Sequence, residues 1–320
     1  MLRPKILITG ASGFIGRRLT ERLFKEGIFS IRTCSRKNLV GWFSGVETIT
    51  VPEINLGTEW RPILKGCEVV VHLAAKMNDM LNQDTKTLLE FRRINVEGTL
   101  NLAKQAADCR VRRFVFISTV KIHGESTMLD QPFTILGPPN PKDAYAISKW
   151  EAEQGLRALE KESGMEVTVL RPSLVYGPEV SGNFGSLLKW LKFGIPLPFG
   201  SINNRRSLVA LDNLVDLIIT CIDHPDSANK TFLVSDGEDL STTQLLRQTA
   251  IAMGVADRLL PIPPPLLDLT FRMLGKPELS LRLLGSLQVD LSFTKEKLGW
   301  DPPLSVEEGL LRAVKSLMRN

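Results

Sequence analysis

The 320-residue sequence predicts an α/β fold: a doubly wound parallel sheet with a smaller, mostly helical C-terminal substrate domain. Three observations carry that prediction. The apolar run Ile6-Leu7-Ile8 leads into the glycine turn Thr9-Gly10-Ala11-Ser12-Gly13-Phe14-Ile15-Gly16 and then into a helical pattern. Short apolar runs then alternate with helical segments as far as residue 172, which is the rhythm of parallel strands joined by crossover helices. Beyond it, residues 177–200 are rich in Gly and Pro and the last third is mostly helical.

The elements are justified in order. After the first strand and helix, residues 28–34 and 47–51 read as strands and residues 60–64 as a short helix. The β-branched run at 69–73 ends in Ala74-Ala75. Residues 88–107 have the apolar spacing of an amphipathic helix, and 113–117 form a further buried strand. A proline-rich loop, 131–141, precedes a helix that starts near Asp143 and stops at Gly164, and the strand 167–170 ends at Arg171-Pro172. A Rossmann-like core over residues 1–172 is the consistent solution, with a helix at 211–221 and a strand at 231–234 expected to return to it within about 206–235. The rest of 173–320 is expected to form the substrate domain. The apolar stretch 266–287 is interrupted by Asp268, Arg272, Lys276, Glu278 and Arg282, so it predicts a lid or small-domain core rather than a membrane span.

Composition narrows the function classes. A hydrophobic content of 43% over this length can bury a full core. The net charge of +5 comes from dispersed pairs such as Arg112-Arg113 and Arg205-Arg206, without the basic block that nucleic-acid binding requires, and it suits anionic small molecules. Cys34, Cys67, Cys109 and Cys221 lie far apart and, with three scattered histidines, make no zinc or redox pattern. The N-terminus runs straight into a strand, with no apolar leader and no charge-free stretch of about 18 residues, so a cytoplasmic protein without membrane insertion is expected.

The glycine turn predicts a dinucleotide site. Gly10 permits the tight turn, Gly13 lets the backbone approach a pyrophosphate, and Gly16 lets helix and strand pack closely, while the helix N-terminus presents unsatisfied N–H groups to the anion. About twenty residues further on, the second strand ends in Ser35-Arg36-Lys37, where an acid would read the ribose hydroxyls of NAD(H). The cations suit a 2′-phosphate and favour NADP(H), with NAD(H) as the alternative.

Catalytic groups follow. The strand 113–117 ends in Ser118-Thr119, and the next helix carries Tyr145 and Lys149, four apart and therefore on one helical face. An ammonium beside a phenol favours the phenolate, so Lys149 is expected to bring Tyr145 towards a useful acid/base range, with the Thr119 hydroxyl holding the substrate oxygen.

With these pieces in place the sequence resembles the extended short-chain dehydrogenase/reductases, in particular the nucleotide-sugar epimerase, dehydratase and ketoreductase group. The matching segments are the glycine turn, His72-Leu73-Ala74-Ala75, Asn95-Val96-Glu97-Gly98-Thr99, Tyr145 with Lys149, Arg171-Pro172-Ser173-Leu174-Val175-Tyr176-Gly177-Pro178, and Arg206-Ser207-Leu208-Val209-Ala210-Leu211-Asp212-Asn213-Leu214. The resemblance implies Thr119 as the catalytic hydroxyl, Tyr145 as proton donor or acceptor, and Lys149 as its partner and a ribose ligand. It further implies a cofactor site of Gly10, Ser12, Gly13, Phe14, Ile15, Gly16, Arg36, Glu53, Ile54, Leu73, Ala74, Ala75 and Pro172, with Glu53-Ile54 near the adenine. Arg206 falls where sugar-nucleotide members contact the diphosphate, as a guanidinium suits.

Departures from the pattern narrow the reaction. Dehydratases of the group place Asp-Glu after the catalytic threonine, where this chain has Val120-Lys121, which disfavours dehydration. Leu174 replaces a customary asparagine, with Asn183 a candidate substitute, and His123 replaces a tyrosine and is left out of the mechanism. The first expectation is NADPH-dependent reduction of a UDP-4-keto-6-deoxy-HexNAc for surface polysaccharide. The alternative is a UDP-hexose 4-epimerase with tightly held NAD, and a third reading is a redox sensor that binds NADP(H) without catalysis. The resemblance also implies a homodimer through the helices near 88–107 and 145–162.

Overall fold

The computed structural model describes residues 3–36, 42–77, 85–180 and 182–318. Strand β1 (Lys5–Thr9) passes through the glycine turn into α1 (Phe14–Glu26), followed by β2 (Ser30–Ser35), β3 (Glu47–Thr50), α2 (Arg61–Leu64) and β4 (Val69–His72). Helices α3 (Thr85–Phe91) and α4 (Thr99–Asp108) are joined by a π-helical segment, Arg92–Gly98. Strand β5 (Arg113–Ile117) leads through a 3₁₀ turn, Val120–Ile122, towards α5 (Ala144–Ser163) and β6 (Glu166–Pro172). The remainder comprises β7 (Leu174–Tyr176), α6 (Gly182–Lys192), β8 (Arg206–Ala210), α7 (Leu211–Asp223), β9 (Thr231–Val234), β10 (Asp239–Leu240), α8 (Thr242–Met253), α9 (Pro264–Met273), α10 (Pro277–Leu284), α11 (Ser292–Leu298) and α12 (Val306–Met318).

Seven parallel strands form the main sheet in the order β3-β2-β1-β4-β5-β6-β9. The order reverses between β1 and β4, and in such sheets the crevice beyond the carboxyl ends of the strands at this switch point holds the ligand. The apolar runs that signalled strands are buried on both faces: Ile6, Ile8, Val69 and Val71 pack towards α1 and α7, whereas Leu7, Val70, Phe114 and Phe116 pack towards α4 and α5. Strand β9 closes the sheet beside β6, while β8 pairs with β7 and β10 in a separate three-stranded sheet. Asp236 joins the two layers: it accepts from Tyr176 Oη at 2.8 Å, Asn213 Nδ2 at 2.7 Å and the Ala210 amide.

The structure adds to the sequence reading at three places. The single helix read at 88–107 is α3, a π segment and α4, and the extra residue per turn brings Gly98 against Ile54, where a Cβ would lie 2.7 Å from Ile54 Cγ2. The small sheet was not read from the sequence, because its strands are three, five and two residues long. The apolar stretch expected as a lid or small-domain core forms α9 and α10: Leu267 is buried in the core of the smaller layer, with Phe271, Leu283 and Leu284 packed against it, and the outer face is left exposed. Among the described residues no helix is long and apolar enough to cross a membrane, and no cluster of His, Cys, Asp and Glu is placed to hold a metal ion.

Candidate active site

The glycine turn is shaped by close backbone approach. Gly10 has φ +69°, and a Cβ there would come within 2.7 Å of the Ala74 amide nitrogen; a Cβ on Gly16 would press on the Gly10 carbonyl and lie 2.7 Å from Ala11 Cα. The turn and the Leu73-Ala74-Ala75 segment after β4 therefore form one surface, tied by the Leu73 amide donating to the Thr9 carbonyl at 3.3 Å. Gly13 caps α1 without a side-chain hydrogen bond, and the first turn holds no acid. That end is electrostatically open to an anion. Ser12, Phe14 and Ile15 are half-buried around it, and Gly177 reaches it, since a Cβ there would lie 3.6 Å from the Phe14 ring. Buried Ser118 Oγ and Ser173 Oγ, at the carboxyl ends of β5 and β6, have no protein partner, and Pro172 is buried between them in sequence at the end of β6. A glycine cradle, an open helix end and spare buried hydroxyls fit a bound dinucleotide.

Arg36 is exposed at the end of β2, and Lys37 lies outside the described residues. Glu53 is exposed and ion-paired with Arg93, and half-buried Ile54 packs on the π segment.

Helix α5 carries Tyr145 and Lys149, the expected acid/base pair. Asp143 caps it, accepting from the Ala146 amide at 2.7 Å, and is itself gripped by Lys121 Nζ at 2.5 Å. Lys121, of the Val120-Lys121 pair that stands in place of Asp-Glu, here holds the start of α5. Tyr145 is buried edge-on to Phe91, with ring centroids 6.3 Å apart, and Lys149 Nζ sits 4.0 Å from the Phe116 ring centroid. Buried Asn95, on the π segment, donates to Ser148 Oγ at 3.0 Å and accepts from the Lys76 amide at 2.8 Å, fastening the loop after β4 to α5. Sequence reasoning had Asn95 in a motif but gave it no task.

The electrostatics differ from the expectation. Burial, and then Asp143, push the Tyr145 phenol above its usual range, and burial pushes Lys149 down to about 7. Position four apart set both on one face, but the ammonium lies over Phe116, and desolvation outweighs mutual stabilisation in the protein alone. Thr119 is buried at the start of the 3₁₀ turn, where its Oγ1 accepts from the Lys121 amide at 3.3 Å.

Arg206, at the start of β8, is half-buried, donates to the Gly285 carbonyl at 2.8 Å, and is pushed down to about 10 by burial and then by the nearby charge of Arg282. Two guanidiniums that repel each other in a partly desolvated place are stabilised by an anion between them. Arg282 had no signal in the sequence, being brought there by α10. Asn183 lies on α6, with its side chain outside the described residues, and Leu174, at the asparagine position, is exposed. His123 is buried with its Nε2 2.8 Å from Arg171 Nη1, while Arg171 makes a bidentate pair with Glu153.

A parallel doubly wound sheet with a glycine-lined helix start at its switch point, a buried Tyr/Lys pair on the following layer and an arginine pair beyond define a dinucleotide-dependent enzyme of the short-chain dehydrogenase/reductase class. Residues 6–235 match the NAD dependent epimerase/dehydratase family, and the chain belongs to that family. It is 45% identical over 318 residues, 99% of this chain and 96% of the relative, to a UDP-glucose 4-epimerase of Vibrio cholerae. Two solved structures share the fold: a UDP-glucose 4-epimerase with UDP-glucose from Thermotoga maritima (TM-score 0.78, 23% identity, 98% of this chain and 99% of that one) and a UDP-glucuronic acid 4-epimerase with NAD from Bacillus cereus (TM-score 0.80, 20% identity, 98% and 99%).

Proposed function

We propose that this enzyme is a UDP-hexose 4-epimerase that retains NAD, with residues 1–172 holding the cofactor and 173–320 most of the sugar nucleotide. The observation that carries this reading is the near end-to-end relation, at 45% identity, to a protein named UDP-glucose 4-epimerase, joined to a Tyr145/Lys149 pair on α5, the helix that Asn95 ties to the loop after β4 packed on the glycine turn. NAD held on Gly10, Gly13, Gly16, Leu73-Ala74-Ala75 and Pro172 would supply the acceptor and donor of the C4 hydride and a positive charge near the phenol. Tyr145 takes the O4 proton as the 4-keto sugar forms and gives it back after the ring has turned its other face. Thr119 holds O4 by a hydrogen bond, and Lys149 binds ribose and lowers the cost of the phenolate. Arg206 and Arg282 clamp the diphosphate, which leaves the hexose free to rotate between half-reactions.

Exposed Arg36, in place of the acid that reads the ribose of NAD, favours a second reading, the NADPH-dependent 4-ketoreductase. One preparation separates them. Denatured protein that releases stoichiometric NAD and native protein that interconverts UDP-glucose and UDP-galactose support the epimerase. Oxidation of added NADPH only when a UDP-4-keto sugar is supplied overturns it in favour of the reductase. A homodimer through α4 and α5 belongs to the same proposal, and light scattering tests it.

A further inference from the structure

We propose that α9 is an interfacial helix that docks this enzyme on an anionic lipid bilayer. Leu266, Leu269 and Met273 recur at three- and four-residue spacing and so form one stripe along the helix, yet they are 53%, 54% and 79% exposed. Leu267, on another face, is the buried residue of α9, and Leu274 prolongs the apolar surface at the helix end, 65% exposed. The helix is therefore apolar on the side turned to solvent as well as on the side turned to the protein.

The entry to α9 continues this surface. Arg258 Nη1 donates to the Gly194 carbonyl at 3.3 Å and Leu260 bonds back to Leu197 at 2.8 Å, so exposed Leu260 lies beside the end of α6, where Phe193 and Ile195 are exposed too. Isolated exposed apolar residues are ordinary, but a helical stripe with apolar neighbours marks an interaction surface.

Charge selects the occupant. Residues 258–284 carry Arg258, Arg272, Lys276 and Arg282 against Asp268 and Glu278; Arg272 and Asp268 pair with each other at 2.9 Å, which leaves three cations against Glu278. Exposed Arg258 and Lys276 lie two residues from exposed Leu260 and Leu274, and Lys189 and Lys192 lie in the last turn of α6. Leucine and methionine on one side with lysine and arginine at the margins are what a helix lying in the headgroup layer of an anionic membrane presents. The helix is too short to span, which agrees with docking and not insertion. Because α10 packs against α9 and carries Arg282, docking sets the diphosphate end of the site one helix away from the bilayer.

The test is flotation of the full-length protein with vesicles of phosphatidylglycerol and phosphatidylethanolamine, and separately with phosphatidylcholine alone. The protein floats with the anionic vesicles and stays behind with the neutral ones, and salt weakens the association. The double variant Leu269→Glu/Met273→Glu binds at least about tenfold more weakly while its fold and its turnover of soluble substrate are unchanged. Absence of binding to anionic vesicles, or equal binding by the double variant, overturns the proposal. A particle mass in light scattering that doubles with concentration, and is halved by the same substitutions, also overturns it by assigning the stripe to a second copy of the chain. Turnover is read without lipid, so failure of the sugar assignment and failure of the docking proposal are distinguishable.

Discussion

Tyr145 keeps its ring against Phe91 and its phenol inside the fold, so Tyr145→Phe deletes one oxygen and leaves the packing in place. Positioned acid/base groups contribute about 10²–10⁴ to rate, and turnover of the variant should fall by that order with NAD content near normal; undiminished turnover removes Tyr145 from the chemistry. Lys149 makes a pH prediction. Its folded pKa of about 7 lies below the ordinary lysine value, so between about pH 10 and 7 the unfolded chain takes up a proton that the folded chain resists. Stability at this site is present above that window and lost as the pH falls through it. Lys149→Met should flatten the calorimetric Tm profile over the same range, and an unchanged slope would contradict it. At this scale the sequence named the candidate groups but not their state: four-residue spacing sets a shared face, while the position of Nζ over the Phe116 ring depends on β5.

Between β1 and α1 the turn tolerates no added carbon, since Gly16 lies against the Gly10 carbonyl and Ala11 Cα. Gly16→Ala should cost roughly 1–3 kcal/mol from overpacking and lower the bound NAD measured on denaturation. If cofactor content and stability both match the parent, the cradle is not what holds the dinucleotide. The last turn of α10, whose Arg282 charge acts on Arg206 of β8, makes a separate claim. UDP should raise the Tm of the parent, and either Arg206→Met or Arg282→Met should remove most of that rise, because each leaves one guanidinium to hold the diphosphate. A full thermal shift in both variants would place the anion elsewhere. The main strands and helices were legible because apolar runs and glycine stops are local signals. The π segment and the two- to five-residue strands of the small sheet were not, since neither has a period long enough to read.

For the whole molecule, two buried neutral histidines govern behaviour in acid. His72 bridges Thr9 Oγ1 at 2.7 Å and Thr99 Oγ1 at 2.9 Å, linking β1 and β4 to α4, and burial followed by Lys149 pushes it down to about 3. His123 is pushed down to about 4 by burial and then by Arg171. Both lie below the unfolded value, so their contribution is present above about pH 6.5 and is lost as the pH falls, at about 1.4 kcal/mol per unit and histidine. Urea denaturation between pH 7 and about 4 should show this fall, and His72→Gln should make it shallower.

What the sequence determined by itself was the class of fold, the glycine turn, and the placing of Tyr145 and Lys149 on one helix and of Thr119 just after β5, because each rests on neighbours within one turn or one strand–turn–helix unit. What the tertiary structure decided was which distant groups meet: Arg282 with Arg206, Lys121 with Asp143, Asn95 with Ser148, and the outward stripe of α9. Those pairings depend on how layers pack, and packing brings together residues whose separation along the chain carries no local periodicity.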